Sequence, residues 1–227
     1  MTPPTPRQVH PIERESYRRL RSRVDTSGMS PLRRAVAERV VHSSADLGYL
    51  DDLVLPEEAV LRAAADALAG GAPLVADVQM VAAGITARRA LCRVREAKGD
   101  PATGLTRSAA AVRLALAEVG PGAVWVVGCA PTALEELLRL DARPALVIGL
   151  PVGFVGAAES KAALRASGLP AVSNISEKGG SAVAAAAANA LLYPDLYDLT
   201  DAAPTDAAPT DAAPNNAAPN NAEEPSV

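Results

Sequence analysis

The stretch that decides the fold lies at residues 124–138 and reads VWVVGCAPTALEELL. Its four apolar residues before Gly128 predict a strand that is buried on both faces. Pro131 suits the first turn of a helix, and the leucines after it, beginning with Leu134 and Leu137, recur at helical spacing. We therefore predict a buried strand, a tight turn and an amphipathic helix.

A turn from a strand into a helix lies at the carboxyl edge of a parallel sheet. Ligands bind outside that edge in open α/β folds, and the first turn of a helix there attracts anions. The alternative is an ordinary connecting turn, because every α/β protein has several. The stretch alone thus indicates the fold class and leaves open whether this turn lines a site.

The same alternation continues through most of the chain. Strands are predicted at residues 73–76, 91–95, 123–127, 145–148 and 171–172. Helices are predicted between and after them at residues 78–85, 106–119, 131–140, 157–167 and 180–192. Three helices precede this run, at residues 12–24, after Ser30-Pro31, and from residue 56 to Gly70-Gly71. The pattern predicts an α/β fold with a mainly parallel sheet flanked by helices, and N-terminal helices packed over the active-site edge.

The composition fits a single domain with appended termini. The 227 residues are 49% apolar but only 3% aromatic, which is typical of alanine-rich helices on an aliphatic sheet. We assign this domain to residues 12–195 and predict a flexible segment at residues 1–11. Residues 196–227 contain repeats of Thr-Asp-Ala-Ala-Pro and Asn-Asn-Ala-Ala-Pro, whose regular prolines block helix and sheet. We predict a disordered tail there.

Charge and cysteine content argue against several classes of function. A net charge of −4 and a pI of about 5.3 give no basic face for a nucleic acid. The N-terminus lacks the apolar core of a secretory signal, and the longest apolar stretch, residues 145–155, is about half a membrane span. Cys92 and Cys129 are too few for a disulfide framework or a four-ligand zinc site. We expect a cytoplasmic protein without a metal site, a membrane partner or a nucleic-acid partner.

The second helix carries a face of polar side chains. Ala35, Arg39, His42 and Asp46 follow one another at spacings of four, three and four residues, which predicts that they share one side of the helix. Histidine has its unperturbed pKa near cellular pH, so His42 is the first candidate for proton transfer. The alternative is an exposed His42 that pairs along the helix with Glu38 or Asp46.

Two further connections should emerge at the same edge of the sheet as the turn at Gly128. They read GLPVGF at residues 149–154 and SEKGGS at residues 176–181. The second brings a lysine, backbone N–H groups and a hydroxyl to the start of a helix, which suits a carboxylate or a phosphate. It is not a Walker motif, where the lysine follows the glycines. A flexible helix start without a ligand is the alternative.

Taken together, these motifs resemble the precorrin-8X methylmutases, also called cobalt-precorrin-8 methylmutases, of cobalamin biosynthesis. The similarity extends over residues 12–192. A single motif would be weak evidence, but the order and spacing of all of them make the resemblance to this family specific. The segments that carry it are RVVHSSAD at residues 39–46, DVQMVAAGI at 77–85, APTAL at 130–134, PVGFV at 151–155, ESK at 159–161 and KGGS at 178–181.

The resemblance implies an isomerase. Members of the family move a methyl group from C-11 to C-12 of precorrin-8X, or of its cobalt form, to give hydrogenobyrinate or cobyrinate. They use no redox or nucleotide cofactor. The catalytic histidine of the family, which protonates the macrocycle, matches His42. The family is generally homodimeric with sites near the subunit interface, so a tetrapyrrole and a second copy of the chain are the expected partners.

The resemblance also indicates which residues bind the substrate. A tetrapyrrole with many carboxylates should be bound by guanidinium groups and helix starts. Ser16 and Arg107 match a substrate-contacting serine and a conspicuous arginine of the family, and Arg39 lies one turn from His42. The loops at Gly128 and Lys178 should lend backbone N–H groups. The expected substrate ligands are Ser16, Arg39, Arg107, Thr132, Lys178, Gly179 and Ser181.

The chain departs from the family pattern at two places. Cys129 replaces a common asparagine, and Ser176-Glu177 replaces Gly-Arg, which exchanges a cation for an anion near a polyanionic substrate. These departures bear on substrate preference more than on the reaction.

Two other functions remain open at this stage. A non-catalytic corrinoid-binding carrier would need the arginines and the loops but no imidazole. A nucleotide-binding α/β enzyme could use the loops at Gly128 and Lys178, but the chain contains neither a Gly-x-Gly-x-x-Gly motif nor a Walker motif.

Overall fold

A computed structural model describes residues 10–193 of the chain. The strands are β1 Leu53–Val54, β2 Leu74–Ala76, β3 Val124–Val127, β4 Leu146–Gly149 and β5 Ala171–Asn174. They form one sheet in the order β1-β5-β4-β3-β2. Strands β2 to β5 are parallel, and β1 pairs antiparallel with β5 at one edge. The prediction of a mainly parallel sheet is confirmed.

The helices flank this sheet on both faces. Their bounds are α1 Pro11–Arg21, α2 Pro31–Ser44, α3 Tyr49–Asp52, α4 Glu58–Ala69, α5 Gln79–Gly84, α6 Arg107–Val119, α7 Pro131–Arg139, α8 Ala157–Ala166 and α9 Ser181–Leu192. Within the described range, no helix is long and apolar enough to cross a membrane. His10 and Pro11, the end of the segment predicted to be flexible, cap and begin α1. Residues 1–9 and the predicted tail at residues 196–227 lie outside the described residues.

The strand predicted at residues 91–95 does not form, and that prediction is wrong. Leu91 makes only an isolated parallel bridge to Val75, although the Leu91 N–H and C=O both bond to β2, each at 2.8 Å. The chain then turns, and the Ala97 N–H donates to the carbonyl of Arg93. Because the chain turns here, it cannot continue pairing with β2 as a strand. The Arg93 side chain instead donates hydrogen bonds to the Glu118 carboxylate on α6.

Helix α9 is the central helix of one face of the sheet. It packs on β3 and β4 below it and on α2, α4 and α5 around it. Its alanine-rich sequence permits this close packing on several sides. A Cβ atom added at Gly84 of α5 would lie 2.7 Å from the Cβ of Ala185, and one at Gly128 would lie 2.7 Å from the Cβ of Ala184. Small residues on both partners therefore set the spacing.

The N-terminal helices lie outside α9 rather than directly on the sheet. Helix α2 packs along α9, and α1 packs on α2. Ser30 precedes α2 as predicted, but its hydroxyl donates to Glu58 at 2.8 Å instead of capping the helix. The Glu58 carboxylate accepts the first N–H groups, from Leu32 and Arg33. A carboxylate from α4 thus caps the start of α2.

The opposite face of the sheet is covered by α6, α7 and α8. Trp125 and Val127 of β3 point into this layer and pack against Leu134, Leu137 and Leu164. The quoted stretch at residues 124–138 is therefore the strand β3 and the helix α7, as predicted. All five of these side chains are at most 2% exposed.

Candidate active site

His42 lies near the end of α2, where α1 crosses it. Its Nδ1 atom is 2.8 Å from the hydroxyl oxygen of Ser16 on α1. Its ring stacks on Tyr17, with centroids 4.9 Å apart and an interplanar angle of 11°. The hydroxyl and the ring together fix the position and the plane of the imidazole. His42 and Ser16 line a cavity of about 200 Å³.

A buried carboxylate holds α1 in this place. Glu38 of α2 is fully buried, and it accepts hydrogen bonds from Arg21 at 2.7 Å, Arg34 at 2.9 Å and Thr26 at 2.5 Å. Burial would raise the pKa of Glu38, but these donors outweigh it and keep the pKa below its usual value. Because Arg21 belongs to α1, this cluster clamps α1 against α2 and brings Ser16 to the imidazole.

The surroundings of His42 favour its neutral form. Burial is the main cause and lowers the pKa below 6.5, while nearby Glu13 raises it and Arg39 lowers it further. The imidazole is therefore largely uncharged at neutral pH. When it does gain a proton, it is a stronger acid than a histidine in water, which suits a group that gives the proton away again.

The alternative for His42, a pairing along the helix with Glu38 or Asp46, does not occur in the structure. Glu38 is occupied by the arginine cluster, and α2 ends at Ser44 with Ala45 in the left-handed region at φ 54°. This turn takes Asp46 off the helical face predicted from spacing. Arg39 stays near His42, but it is buried, and its guanidinium lies 3.4 Å from the carboxylate of Glu13.

Lys178 reaches the same end of α2 from the loop after β5. Its Nζ atom lies 2.7 Å from Asp46 and 5.5 Å from the ring centre of Tyr49. The hydrogen bond that Lys178 donates to Asp46 raises the pKa of Lys178, so the ammonium stays charged. This contact joins the loop between α2 and α3 to the loop that carries Gly179 and leads to Ser181, the first residue of α9.

Gly179 is a glycine because the backbone of another loop passes directly against it. A Cβ atom there would lie 2.5 Å from the carbonyl oxygen of Pro151 and would also contact the carbonyl oxygen of Leu150. The Gly180 N–H donates to Leu150 at 2.9 Å. The connections after β4 and β5 are thus in contact, and both were predicted to lie at one edge of the sheet. Ser181 begins α9 directly after the second connection.

The turn at Gly128 does not offer its N–H groups to a ligand. The Asp77 carboxylate, at the end of β2, accepts hydrogen bonds from Gly128 at 3.2 Å, Cys129 at 2.9 Å and Ala130 at 3.0 Å. The expectation that this turn lends N–H groups to the substrate is therefore wrong. Burial raises the pKa of Asp77 against the opposing effect of these donors.

Sequence reasoning assigned no role to Asp77, although an acid directly after a buried strand was a usable signal. The side chain lies at the carboxyl edge of β2, where carboxylates can meet the first turn of the neighbouring helix. In this protein the Asp77 carboxylate stabilises the turn before α7 through its three hydrogen bonds. The Cys129 side chain remains exposed beyond that turn.

Thr132 and Arg107 lie in a different place from His42. The Thr132 hydroxyl is 2.8 Å from the hydroxyl of Thr106, which caps α6 by accepting the Ala109 N–H at 3.1 Å. Arg107 is the exposed first residue of α6. Thr106 and Thr132 line a cavity of about 420 Å³ between α6 and α7. This cavity lies on the face of the sheet opposite to α2.

The structure therefore divides the predicted site residues into two groups. Ser16, Arg39 and His42 gather around the end of α2, and Lys178 joins them through Asp46. Arg107 and Thr132, at the starts of α6 and α7, form the second group. None of the described cavities is lined by residues of both groups. A further cavity of about 500 Å³ lies beside β2 and is lined by three arginines, Arg89, Arg93 and Arg95.

Several large apolar side chains are exposed near the carboxyl edge. Phe154 is 95% exposed and Val155 is 88% exposed in the loop after β4, and Ile175 is 56% exposed after β5. Among the described residues, no His, Cys, Asp and Glu side chains form a group that could hold a metal ion.

A mainly parallel sheet with polar side chains and loops gathered at its carboxyl edge is the architecture of α/β proteins that bind ligands outside the ends of their strands. Comparison with known proteins narrows this class. The family model for precorrin-8X methylmutase matches residues 11–194. The chain belongs to the precorrin-8X methylmutase family, whose members are isomerases of cobalamin biosynthesis.

Individual relatives agree with this assignment. The cobalt-precorrin-8 methylmutase of Salmonella typhimurium is 43% identical over 182 residues, which cover 76% of this chain and 86% of that protein. The precorrin-8X methylmutase of Pseudomonas aeruginosa is 42% identical over 195 residues, which cover 79% and 93%. A solved precorrin-8X methylmutase from Thermus thermophilus superposes with a TM-score of 0.69 at 33% identity and covers 83% of this chain and 99% of its own.

Proposed function

We propose that this protein moves a methyl group from C-11 to C-12 of precorrin-8X, or of its cobalt form, with His42 as proton donor and acceptor. The observation that carries the proposal is the fixed imidazole of His42, held by Ser16 and stacked on Tyr17 at the wall of a cavity. Family membership supplies the reaction class, and this geometry supplies a group able to perform the proton transfers.

The contact with Ser16 indicates which ring nitrogen remains available to exchange a proton. Nδ1 is engaged by the Ser16 hydroxyl, so Nε2 is the atom that can exchange a proton with the macrocycle. The imidazolium gives a proton to the tetrapyrrole, the methyl group migrates within the same molecule, and the imidazole takes a proton back. The product has the same atoms and oxidation level as the substrate, so the step requires no redox cofactor.

Substrate carboxylates are expected to be bound by Arg39, Lys178, Gly179 and Ser181 around the end of α2. Lys178 is 44% exposed and its partner Asp46 is 39% exposed. An exposed ion pair of this kind contributes only about 0–1 kcal/mol. A substrate carboxylate can therefore displace Asp46 and take over the ammonium.

We also propose that two copies of the chain form a homodimer and that Arg107 and Thr132 act from the α6–α7 side of this assembly. The cavity at His42 has about 200 Å³, which is below the range of about 300–1,000 Å³ usual for ligand pockets. The exposed Phe154 and Val155 offer an apolar surface for a second copy. Wild-type protein and Phe154→Glu can be compared by light scattering after gel filtration. A monomeric wild-type protein would contradict the dimer.

The function is tested by supplying precorrin-8X to wild-type protein and to His42→Ala while following the absorbance change of the new chromophore. Loss of the imidazole should lower kcat by about 10²–10⁴-fold, the usual contribution of general acid–base catalysis. A mutant as fast as wild type would show that His42 is not the proton-transfer group. Tight product binding without conversion by either protein would instead support the carrier function.

A further inference from the structure

Lys161 is a fully buried lysine on the side of α8 that faces β5. Its side chain has no exposed surface. The Nζ atom donates to the side-chain oxygen of Asn174 at 2.8 Å, to the carbonyl of Ser176 at 2.5 Å and to the carbonyl of Lys178 at 2.6 Å. An ammonium group has three donors, and each of them has an acceptor here.

All three acceptors belong to one short segment, residues 174–178. Among the described residues, no carboxylate forms a salt bridge with Lys161, so these neutral oxygens replace its hydration. Burying an ammonium is costly unless each donor finds an acceptor. The cost of burying the ammonium is therefore offset only while residues 174–178 keep the conformation that points these oxygens at it.

The same loop is held on its other side by Asp52, the last residue of α3. The Asp52 carboxylate accepts hydrogen bonds from the side chain of Asn174 at 2.7 Å, from the Ser176 N–H at 2.8 Å and from the Ser176 hydroxyl at 2.7 Å. Lys161 and Asp52 thus hold the loop between a buried cation and an anion. The side chain of Lys178 extends from this loop and donates a hydrogen bond to Asp46.

We propose that Lys161 is a positioning residue that holds residues 174–178 so that Lys178 lies beside Asp46 at the end of α2. The proposal rests on the proposed function, because Lys178 matters for turnover only as a ligand of the tetrapyrrole. Lys161 itself does not touch the substrate. It acts through the carbonyls of Ser176 and Lys178.

Charge at Lys161 responds to pH in an accessible range. Burial lowers its pKa to about 8, while Asp52 and Glu177 oppose this effect and Arg165 adds to it. A neutral amine has two hydrogens for three acceptor oxygens, so one acceptor loses its donor above that pH. Lys178 keeps its charge there, because Asp46 raises its pKa.

Hydrogen exchange tests the positioning role without any substrate. The probe is the exchange rate of the amides at residues 175–180 in Lys161→Met. The matched control is Arg165→Met, because Arg165 lies one turn further along α8 and donates to Ser173 and Asn174 without reaching Ser176 or Lys178. We expect about tenfold faster exchange in the Lys161 variant only, since one strong hydrogen bond corresponds to roughly that factor. Equal exchange in both variants would overturn the proposal.

Wild-type protein provides a second arm in case Lys161→Met does not fold. After correction for intrinsic exchange, protection of residues 175–180 should fall between pH 7 and pH 9 relative to amides in β3. Unchanged relative protection across this range would contradict the role assigned to the ammonium.

Kinetics then connect the loop to turnover. Lys161→Met and Lys178→Met should each raise KM about five- to tenfold with little change in kcat, because each weakens the same charge-assisted contact, that of Lys178 with the substrate. The double variant should be no worse than Lys178→Met alone, since Lys161 acts through Lys178. Multiplied effects would overturn the proposal. A wild-type protein that converts no substrate would refute the proposed function but would leave the exchange result standing.

Discussion

The Nδ1 atom of His42 and the hydroxyl of Ser16 are 2.8 Å apart, although the two residues belong to different helices. This contact exists because the Glu38 cluster fixes α1 on α2 and because Tyr17 stacks on the imidazole. The ring therefore has one fixed orientation, and its Nε2 atom is directed by the packing of two helices.

Removing the Ser16 hydroxyl should slow the reaction without unfolding the protein. We expect Ser16→Ala to lower kcat about tenfold, since losing one hydrogen bond of about 1–1.5 kcal/mol leaves the imidazole free to rotate. Ser43→Ala is the matched control, because among the described residues the Ser43 hydroxyl bonds only to the carbonyl of Val40 on the same helix. An equal loss in both variants would show that the effect is not specific to the Ser16 contact.

The His42 pKa should lie below 6.5 when it is followed by NMR titration of the ring protons. Two neighbours should move it in opposite directions. Glu13→Gln removes an anion and should lower the pKa further, whereas Arg39→Gln removes a cation and should raise it. A midpoint above 6.5 in wild-type protein would contradict the assigned effect of burial.

The same shift links His42 to stability. Because the folded-state pKa is lowered, the native protein binds fewer protons than the unfolded chain below pH 6.5. The free energy of unfolding should therefore fall as the pH drops from about 6.5 towards the folded-state pKa. This slope should be smaller in His42→Asn, as measured by urea denaturation at several pH values. An unchanged slope would assign the effect to other groups.

Asp77 should be important for stability rather than for substrate binding. Replacing it with alanine leaves three buried or partly buried N–H groups without their acceptor, and we expect a loss of about 1–3 kcal/mol. Asp141→Ala is the control, since that side chain is 80% exposed. Urea denaturation measures both variants, and equal stability of the two would show that the turn at Gly128 does not depend on the carboxylate.

Gly179→Ala should displace the loop that carries Lys178. The added methyl group would meet the carbonyl oxygens of Leu150 and Pro151, which belong to backbone and cannot move aside cheaply. We expect a loss of stability of about 1–3 kcal/mol together with a higher KM. Gly28→Ala serves as the comparison because a Cβ atom there meets nothing within 4 Å. A Gly179 variant with unchanged melting temperature and KM would contradict the close packing.

The parts of the fold that sequence reasoning recovered are those with a strong local period. The stretch at residues 124–138 became β3 and α7 because four apolar residues and a helical leucine pattern leave few other structures open. The strand β1 was missed because its two residues have no period of their own. They are extended only because Leu53 and Val54 pair with Asn174 and Ser173, which lie far away in the sequence.

The arrangement of the candidate site could be predicted from the sequence only in part. His42 and Ser16 were chosen individually, but only tertiary packing brings them together. The contact of Asp46 with Lys178 spans 132 residues, and no spacing rule could indicate it. Helical spacing placed Asp46 beside His42, and the left-handed turn at Ala45 prevented this. Local patterns thus identified residue types, whereas the partners of those residues depended on the fold.

The imidazole belongs to α2, which packs along α9, whereas Lys178 and Gly179 belong to loops. Cys129 and Ser176-Glu177, where the sequence analysis expected departures from the family pattern, also lie in loops. The proposed function thus assigns proton transfer to a helix and substrate selectivity to loops. On the proposed function, exchanging these loops should change which macrocycles bind while leaving the position of the imidazole on α2 unchanged.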